Sequence, residues 1–471
     1  MNTKKYDVAI LGLWYGLNYG SLLTYYALRE QIRSVGKSVV MVKYLPENLP
    51  DSIIEEQDPR AHNNSFITSQ GYDTHTLYRH NARSVNELAD TFVIGSDQVW
   101  NYPIAKLYDS FFYMSEIDSD KRKIANAVSF GHAVDFAPSE EQPRISNLMR
   151  RFNAISVRED SGVDILRREY DVYSEWHADP LLTISRSDLC ALSDKADTSS
   201  SKYLLAYVLD PSDDKINGVQ SLAKILGLDI KVIIDGFSHN RENNISYLGE
   251  LEGTLQNDVD VGRFVSLFED SSYVVTDSFH GTVMALKMEK EFAVVTTAKM
   301  RRGMARIDSL LKLTGLRARH TYDPRAIGSK KRFLNKIDYN KVNHIIDRIS
   351  KISHLWLTTA LDFPVDMKVD SSPVLLEDDD LREIIIGKKS WSFGLQGKNP
   401  YTNDAKFLSD GRITGIESDN EYFWEVNNSK FIIYDVDRKP THIFTLSSLD
   451  FGKPIFHGEA TFDYSLVHVI S

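Results

Sequence analysis

The stretch Tyr273-Val274-Val275-Thr276-Asp277-Ser278-Phe279-His280-Gly281-Thr282-Val283-Met284-Ala285-Leu286 reads as a buried strand, a polar tip and the opening of a helix. In an α/β protein the C-terminal ends of parallel strands face the crevice where ligands bind. A helix starting there turns its free N–H groups toward an anion. Asp277, Ser278 and His280 put a carboxylate, a hydroxyl and a group titrating near neutrality at that position. This is the expected chemical centre.

The same pattern recurs upstream. Thr91-Phe92-Val93-Ile94 ends in Gly95-Ser96-Asp97, Lys123-Ile124-Ala125-Asn126-Ala127-Val128 ends in Ser129-Phe130-Gly131-His132, and Ala154-Ile155-Ser156-Val157 ends in Arg158-Glu159-Asp160. Residues 8–13, 21–35 and 38–42 add a strand, an amphipathic helix and a strand, which is a βαβ rhythm. Strands that repeatedly deliver polar groups at their tips predict a doubly wound sheet. A polar, serine-rich stretch at 185–201 reads as a linker. A second α/β rhythm follows it, through Tyr203-Leu204-Leu205-Ala206-Tyr207-Val208 and Lys231-Val232-Ile233-Ile234.

Past residue 363 the pattern changes to an acidic stretch and then short strand-like runs between turn residues, as expected of an all-β sandwich or barrel. The predicted organisation is a Rossmann-like domain at 1–185, a second at 200–362 and a small β domain at 383–471. Trp391, Tyr422, Phe423 and Trp424 either offer sugar an aromatic surface or fill that small core.

Composition narrows the functional classes. The chain has 471 residues, 42% of them hydrophobic and 26% charged, with a net charge of −11. It is long enough for two or three cores. Lysine and arginine are spread along it, which argues against a nucleic-acid binder, since counterion release needs a basic stripe. The lone Cys190 stands in no CxxC or CxxH, pointing to a reducing cytoplasmic setting and away from structural zinc. No apolar run reaches the ~18 residues of a membrane span, and peripheral contact with the inner membrane face stays open.

Five motifs, Asn18-Tyr19-Gly20, Gly95-Ser96-Asp97-Gln98-Val99-Trp100-Asn101, Ser156-Val157-Arg158-Glu159-Asp160-Ser161-Gly162, Asp179-Pro180 and Thr276-Asp277-Ser278-Phe279-His280-Gly281, resemble the polysaccharide pyruvyl transferase family in order and spacing over roughly residues 6–320. The resemblance implies a GT-B-like pair of Rossmann-like domains with a site between them. It implies phosphoenolpyruvate as donor, a saccharide or lipid-linked oligosaccharide as acceptor, a pyruvate ketal as product, and no resident cofactor or metal.

Under that resemblance Arg158 binds the donor, with an ion pair to Glu159 or Asp160 as its structural alternative. His280 serves as acid and base, or holds phosphate as an imidazolium. Asp97 takes or orients an acceptor hydroxyl, or caps the next helix. Ser278 and Gly281 belong to the donor site, and Asn18, Gln98, Trp100, Asn101 and His132 to the acceptor site, with core packing as the alternative for Trp100. Many family members have an arginine two residues before the histidine, where this chain has Ser278. Either donor affinity is weaker or cations come from elsewhere, with Arg301, Arg302 and Arg306 as the expected replacements and a solvated helix face as the alternative for each. Two other classes remain: a nucleotide-sugar glycosyltransferase, for which Glu289 would be the weak ribose-binding carboxylate, and a decayed carbohydrate-binding protein.

Overall fold

The computed structural model describes residues 5–46, 62–194, 202–234, 244–249, 251, 254–256, 259–297, 304–362, 378–395, 400–416, 418, 420–427, 430–450, 453–460 and 463–470. The chain divides into two compact units, residues 1–173 with 177–368, and residues 174–176 with 369–471.

In the first unit β1 (Tyr6–Leu11), β2 (Val39–Leu45), β3 (Thr74–Tyr78), β4 (Ala89–Ile94), β5 (Arg122–Val128) and β6 (Ala154–Val157) lie in the order β3-β2-β1-β4-β5-β6. The two-residue strand β7 (Glu175–Trp176) counts with the second unit. A further six strands of the first unit, β8 (Tyr203–Tyr207), β9 (Asp229–Ile233), β10 (Thr254–Gln256), β11 (Tyr273–Thr276), β12 (Glu291–Val295) and β13 (His320–Thr321), are ordered β10-β9-β8-β11-β12-β13. The pairings are parallel, for instance Val8 with Thr91 and Val275 with Ala206. Each set steps outward from its first strand, returns, and continues on the other side, which is the doubly wound Rossmann order. The expected GT-B-like pair of Rossmann-like sheets is therefore present. β6, β8 and β11 are buried along their whole length, because strands of a parallel sheet covered on both faces have no solvent side.

The two sheets share a core. Tyr19, Leu22, Leu23 and Tyr26 of the Tyr19–Ser34 helix pack in one cluster with Leu205 of β8 and with Val283 and Met284 of the Phe279–Lys287 helix. The Tyr19 ring stacks on Phe264 at 4.5 Å and its hydroxyl donates to the Val259 carbonyl at 2.5 Å. On the other flank Ser309 donates to the Asp160 carboxylate at 2.6 Å.

The stretch read as a linker begins with a helix instead, Arg186–Cys190. Ser185 caps it by accepting from the Asp188 N–H at 3.0 Å, and Leu189 is fully buried. A capping serine and one apolar anchor outweigh a serine-rich composition. Residues 195–201 lie outside the described residues.

The second unit opens with the Asp378–Gly387 helix, whose first turn is Asp378, Asp379 and Asp380. The acidic stretch thus places negative charge at a helix N-terminus, where the dipole favours it. There follow β14 (Trp391–Leu395), β15 (Thr402–Phe407), β16 (Ile413–Thr414), β17 (Phe423–Asn427), β18 (Lys430–Tyr434), β19 (Pro440–Asp450), β20 (Lys453–Ala460) and β21 (Asp463–Ile470). Their order is β16-β15-β14-β21-β20-β19-β18-β17. The two ends of that order meet, because Arg412 bridges Phe423 and the Trp424 N–H donates to the Gly411 carbonyl at 2.8 Å. The result is a closed antiparallel meander, an eight-stranded barrel small enough to be filled by side chains. Trp391 and Trp424 are among those side chains, at 1% and 2% exposure, so core packing is the reading that holds for both. Among the described residues no helix is long and apolar enough to cross a membrane.

One buried ion pair holds the tip of β11. The Asp277 carboxylate accepts from the Leu209 N–H at 2.7 Å, the Asp210 N–H at 3.0 Å and Lys215 Nζ at 2.7 Å. The expected effect of Asp277→Ala, which strands a buried ammonium, is a loss of about 3–5 kcal/mol. A fall in the urea-unfolding midpoint measures it, and an unchanged midpoint contradicts the clamp.

Candidate functional site

Arg158 follows β6, its backbone N–H donating to the Val128 carbonyl at 3.1 Å. That bond fixes where the side chain leaves the sheet, and the guanidinium is entirely enclosed. Its Nη1 donates to Asp179 Oδ2 at 2.6 Å and to Ser96 Oγ at 3.2 Å, and its Nη2 donates to Asp97 Oδ1 at 3.0 Å. His280 Nε2 lies 3.4 Å from the same Nη1. One cation thus joins the tips of β4, β6 and β11 at a single point.

Asp179 is the anchor that sequence reading missed. Besides Arg158, its carboxylate accepts from Thr24 Oγ1 at 2.9 Å, Ser96 Oγ at 2.6 Å and the Leu181 N–H at 2.9 Å. Burial alone would raise its pKa, but the Arg158 charge and the hydrogen bonds from Ser96 and Arg158 are among the effects that together outweigh it and hold the group below the usual carboxylate range. The available signal was Asp179-Pro180, an aspartate before a proline at the first helical position.

Asp97 takes φ +87°, a left-handed backbone that a non-glycine residue adopts at a cost of about 1–3 kcal/mol. That turn lets its carbonyl accept from the Ser129 N–H at 3.0 Å while Oδ1 accepts from the Gln98 N–H at 2.8 Å. Burial pushes its pKa up, and the surrounding positive charge, Arg158 first, together with the Gln98 N–H more than reverses this, so the group stays ionised. Asn101 is the cap residue of the Tyr102–Leu107 helix, which removes the capping alternative for Asp97.

His280 stands in the first turn of the Phe279–Lys287 helix. Burial lowers its pKa to about 4; the Asp179 carboxylate opposes the shift and the Arg158 charge adds to it. The imidazole is therefore neutral near pH 7 in the unliganded protein. Gly20, just inside the N-terminal helix, is what allows this approach, since a Cβ there would lie 2.1 Å from the His280 ring.

Arg306, from the Met304–Leu313 helix, completes the cluster. Arg158 and Arg306 stand 4.6 Å and 5.7 Å from the Phe279 ring, so the two guanidiniums share one aromatic neighbour. Burial, and then the like charge of Arg158, bring the Arg306 pKa down to about 10. Its Nε is buried and has no hydrogen-bond partner among the described residues.

The remaining residues singled out by sequence fall elsewhere. The Asp277 carboxylate serves the β11 clamp and takes no part in this cluster. Ser278 and Gly281 serve each other, the Gly281 N–H donating to Ser278 Oγ at 3.2 Å. Asn18 caps the Tyr19–Ser34 helix, accepting from the Ser21 N–H at 2.9 Å. Asn101 donates to Gln98 Oε1 at 3.3 Å beside Gly131, where a Cβ would lie 2.2 Å from the same oxygen. His132 is half-buried with its ring against Phe136 at 4.7 Å. Trp100 is fully buried against Phe130 and Phe152, its indole N–H donating to the Phe112 carbonyl at 3.0 Å. It has no open face for a sugar. Arg301 and Arg302 lie outside the described residues. Glu159, offered by sequence as an ion-pair partner of Arg158, is fully buried next to it, but its Oε1 accepts from Ser129 Oγ and the Phe130 N–H at 2.9 Å and 2.8 Å.

A family model described as polysaccharide pyruvyl transferase matches residues 18–298, a span that runs from the cap of the first helix past both strand-tip clusters. The chain belongs to that family, and so to enzymes of polysaccharide modification. No curated protein matches it significantly. Among solved structures, an S. aureus MnaA–UDP co-structure is 11% identical with a TM-score of 0.47, covering 78% of this chain and 100% of that one. The wall teichoic acid polymerase TagF is 12% identical with a TM-score of 0.44, covering 76% and 89%. UDP-GlcNAc 2-epimerase from Neisseria meningitidis bound to UDP-GlcNAc is 11% identical with a TM-score of 0.42, covering 75% and 99%.

The state of His280 has a measurable consequence. Below its unfolded pKa of about 6.5 the unfolded chain binds a proton that the folded site refuses until about pH 4. Stability is expected to fall as pH drops through that window, and His280→Gln to flatten the fall. Urea melts at several pH values measure it; identical slopes in both proteins would contradict the neutral imidazole.

Proposed function

We propose that this protein transfers the enolpyruvyl carbons of phosphoenolpyruvate to a sugar of a cell-surface or capsular polysaccharide precursor, forming a pyruvate ketal. The observation that carries the reading is Arg306. A second, half-buried guanidinium, held near Arg158 against like-charge repulsion and with its enclosed Nε unmatched among the described residues, suits a ligand that brings its own negative charge. Phosphoenolpyruvate brings about three charges near neutrality. Its planar carboxylate and tetrahedral phosphate both match the guanidinium fork.

The reaction adds one proton to the donor methylene carbon, forms two C–O bonds at C2 from two sugar hydroxyls, and releases phosphate. Each hydroxyl gives up its proton as it attacks, so a base must stand beside it. Asp97 is ionised and is the partly exposed carboxylate of the cluster, at 13% side-chain exposure. It suits the role of accepting or orienting one hydroxyl. Neutral His280 can take a proton and return it, and the negative charge of a bound donor would raise its basicity. Ser278 leaves the β11 tip without an arginine, and Arg306 supplies that charge from a different helix.

Purified protein given phosphoenolpyruvate and a lipid-linked or model saccharide acceptor is expected to release phosphate only when both are present. Phosphate release that ignores the acceptor, or none with any acceptor of a broad panel, would sink the reading. In the same assay Arg306→Met is expected to raise the KM for phosphoenolpyruvate by roughly 10–100-fold, the effect of one lost charge-assisted contact. His280→Gln is expected to lower kcat by roughly 10²–10⁴-fold, and a kcat within twofold of wild type would remove His280 from the chemistry.

A further inference from the structure

Residues 317–341 contain eight lysines and arginines against two aspartates, in a chain whose net charge is −11. They run along the outer edge of the second Rossmann-like sheet, where β13 is the last strand. A short helix, Lys331–Leu334, is pinned there. Arg332 Nη2 donates to the His320 carbonyl at 3.3 Å. Buried Arg319 donates to the Phe333 carbonyl at 3.3 Å and pairs with Glu291 at 2.8 Å. Phe333 is fully buried as the anchor, so its neighbours on the helix are turned outward.

Two features set this edge apart. Among the described residues the ion pairs of the segment go to Arg319 and to Arg325, which pairs with Asp214 at 2.5 Å. Exposed Lys330, Lys331 and Lys336 have no carboxylate partner among the described residues. Amid these cations Tyr322 and Leu334 are 52% and 40% exposed. Unpaired lysines repel one another and gain nothing from their arrangement unless an opposite charge meets them. Tyr322 and Leu334 add exposed apolar surface within the same stretch of chain. An anionic bilayer answers both: its surface potential draws in clustered lysines, and its headgroup region accepts an aromatic ring with a polar tip and an aliphatic side chain.

We infer that the edge formed by Tyr322, Lys330, Lys331, Leu334 and Lys336 is a docking surface for an anionic lipid membrane. It holds the protein peripherally, by charge with shallow apolar contact, and it is independent of the chemistry proposed for the cleft. A membrane-borne acceptor would then be met at a surface and not in bulk solution.

Co-sedimentation of the full chain with vesicles tests this. Binding is expected to vesicles of phosphatidylcholine mixed with phosphatidylglycerol and not to phosphatidylcholine alone, and to weaken in high salt. K330E/K331E/K336E is expected to weaken the partition by at least ~100-fold, since each cation near an anionic surface contributes about fivefold. Its thermal midpoint is expected to be unchanged. Tyr322→Ser with Leu334→Ser is expected to reduce the binding that survives salt. The inference is overturned by equal binding to both vesicle types, by a triple variant that binds as wild type does, or by a protein that binds a soluble polyanion but no vesicle.

Discussion

The guanidinium of Arg158 lies between two carboxylates, Asp97 and Asp179, with no side-chain exposure of its own. Enclosing a cation costs several kcal/mol unless opposite charge and hydrogen bonds replace its water. Here each carboxylate is itself held by other donors, Asp179 by Thr24, Ser96 and Leu181, and Asp97 by the Gln98 N–H. The cation therefore cannot move without stranding both anions. This one network fixes the tips of β4 and β6 and the first turn after β11.

The network also explains why two Rossmann-like sheets behave as one packed body. Thr24 comes from the first helix of the chain, Asp179 from the segment that leaves the first sheet, and His280 from the helix of the second. The polar cluster lies on top of the shared apolar core of Tyr19, Leu22, Val283 and Met284. Apolar burial supplies the adhesion, which has no direction. The charged network supplies the register, because hydrogen bonds to a planar guanidinium are satisfied in few orientations.

The resulting electrostatics suit an anion. Asp97 and Asp179 are ionised and already engaged, His280 is neutral, and Arg306 is held with its Nε unmatched among the described residues. Ser278 carries no charge, and a second cation stands beside the Phe279 ring from elsewhere in the chain. It enters from the Met304–Leu313 helix, which packs against the same Phe279 ring.

Sequence by itself determined what is local. Apolar runs ending in polar tips revealed both sheets, and the motif string from Asn18 to Gly281 revealed the family, because strand burial and tip chemistry are written within about ten residues. Arg158, Asp97 and His280 were legible as tip residues, and each sits in the cluster. Only the tertiary structure decided which tip groups turn inward. Asp277 and Asp97 look alike in sequence, yet one meets Lys215 at 62 residues' separation and the other meets Arg158 at 61. Asp179 was legible as part of a motif but not as an anchor, and Trp100 stayed divided between sugar contact and core packing, for the same reason. A side chain's partner is set by what the folded chain brings beside it, and the balance of burial against charge that makes Asp97 an anion and His280 a neutral base exists only after that assembly.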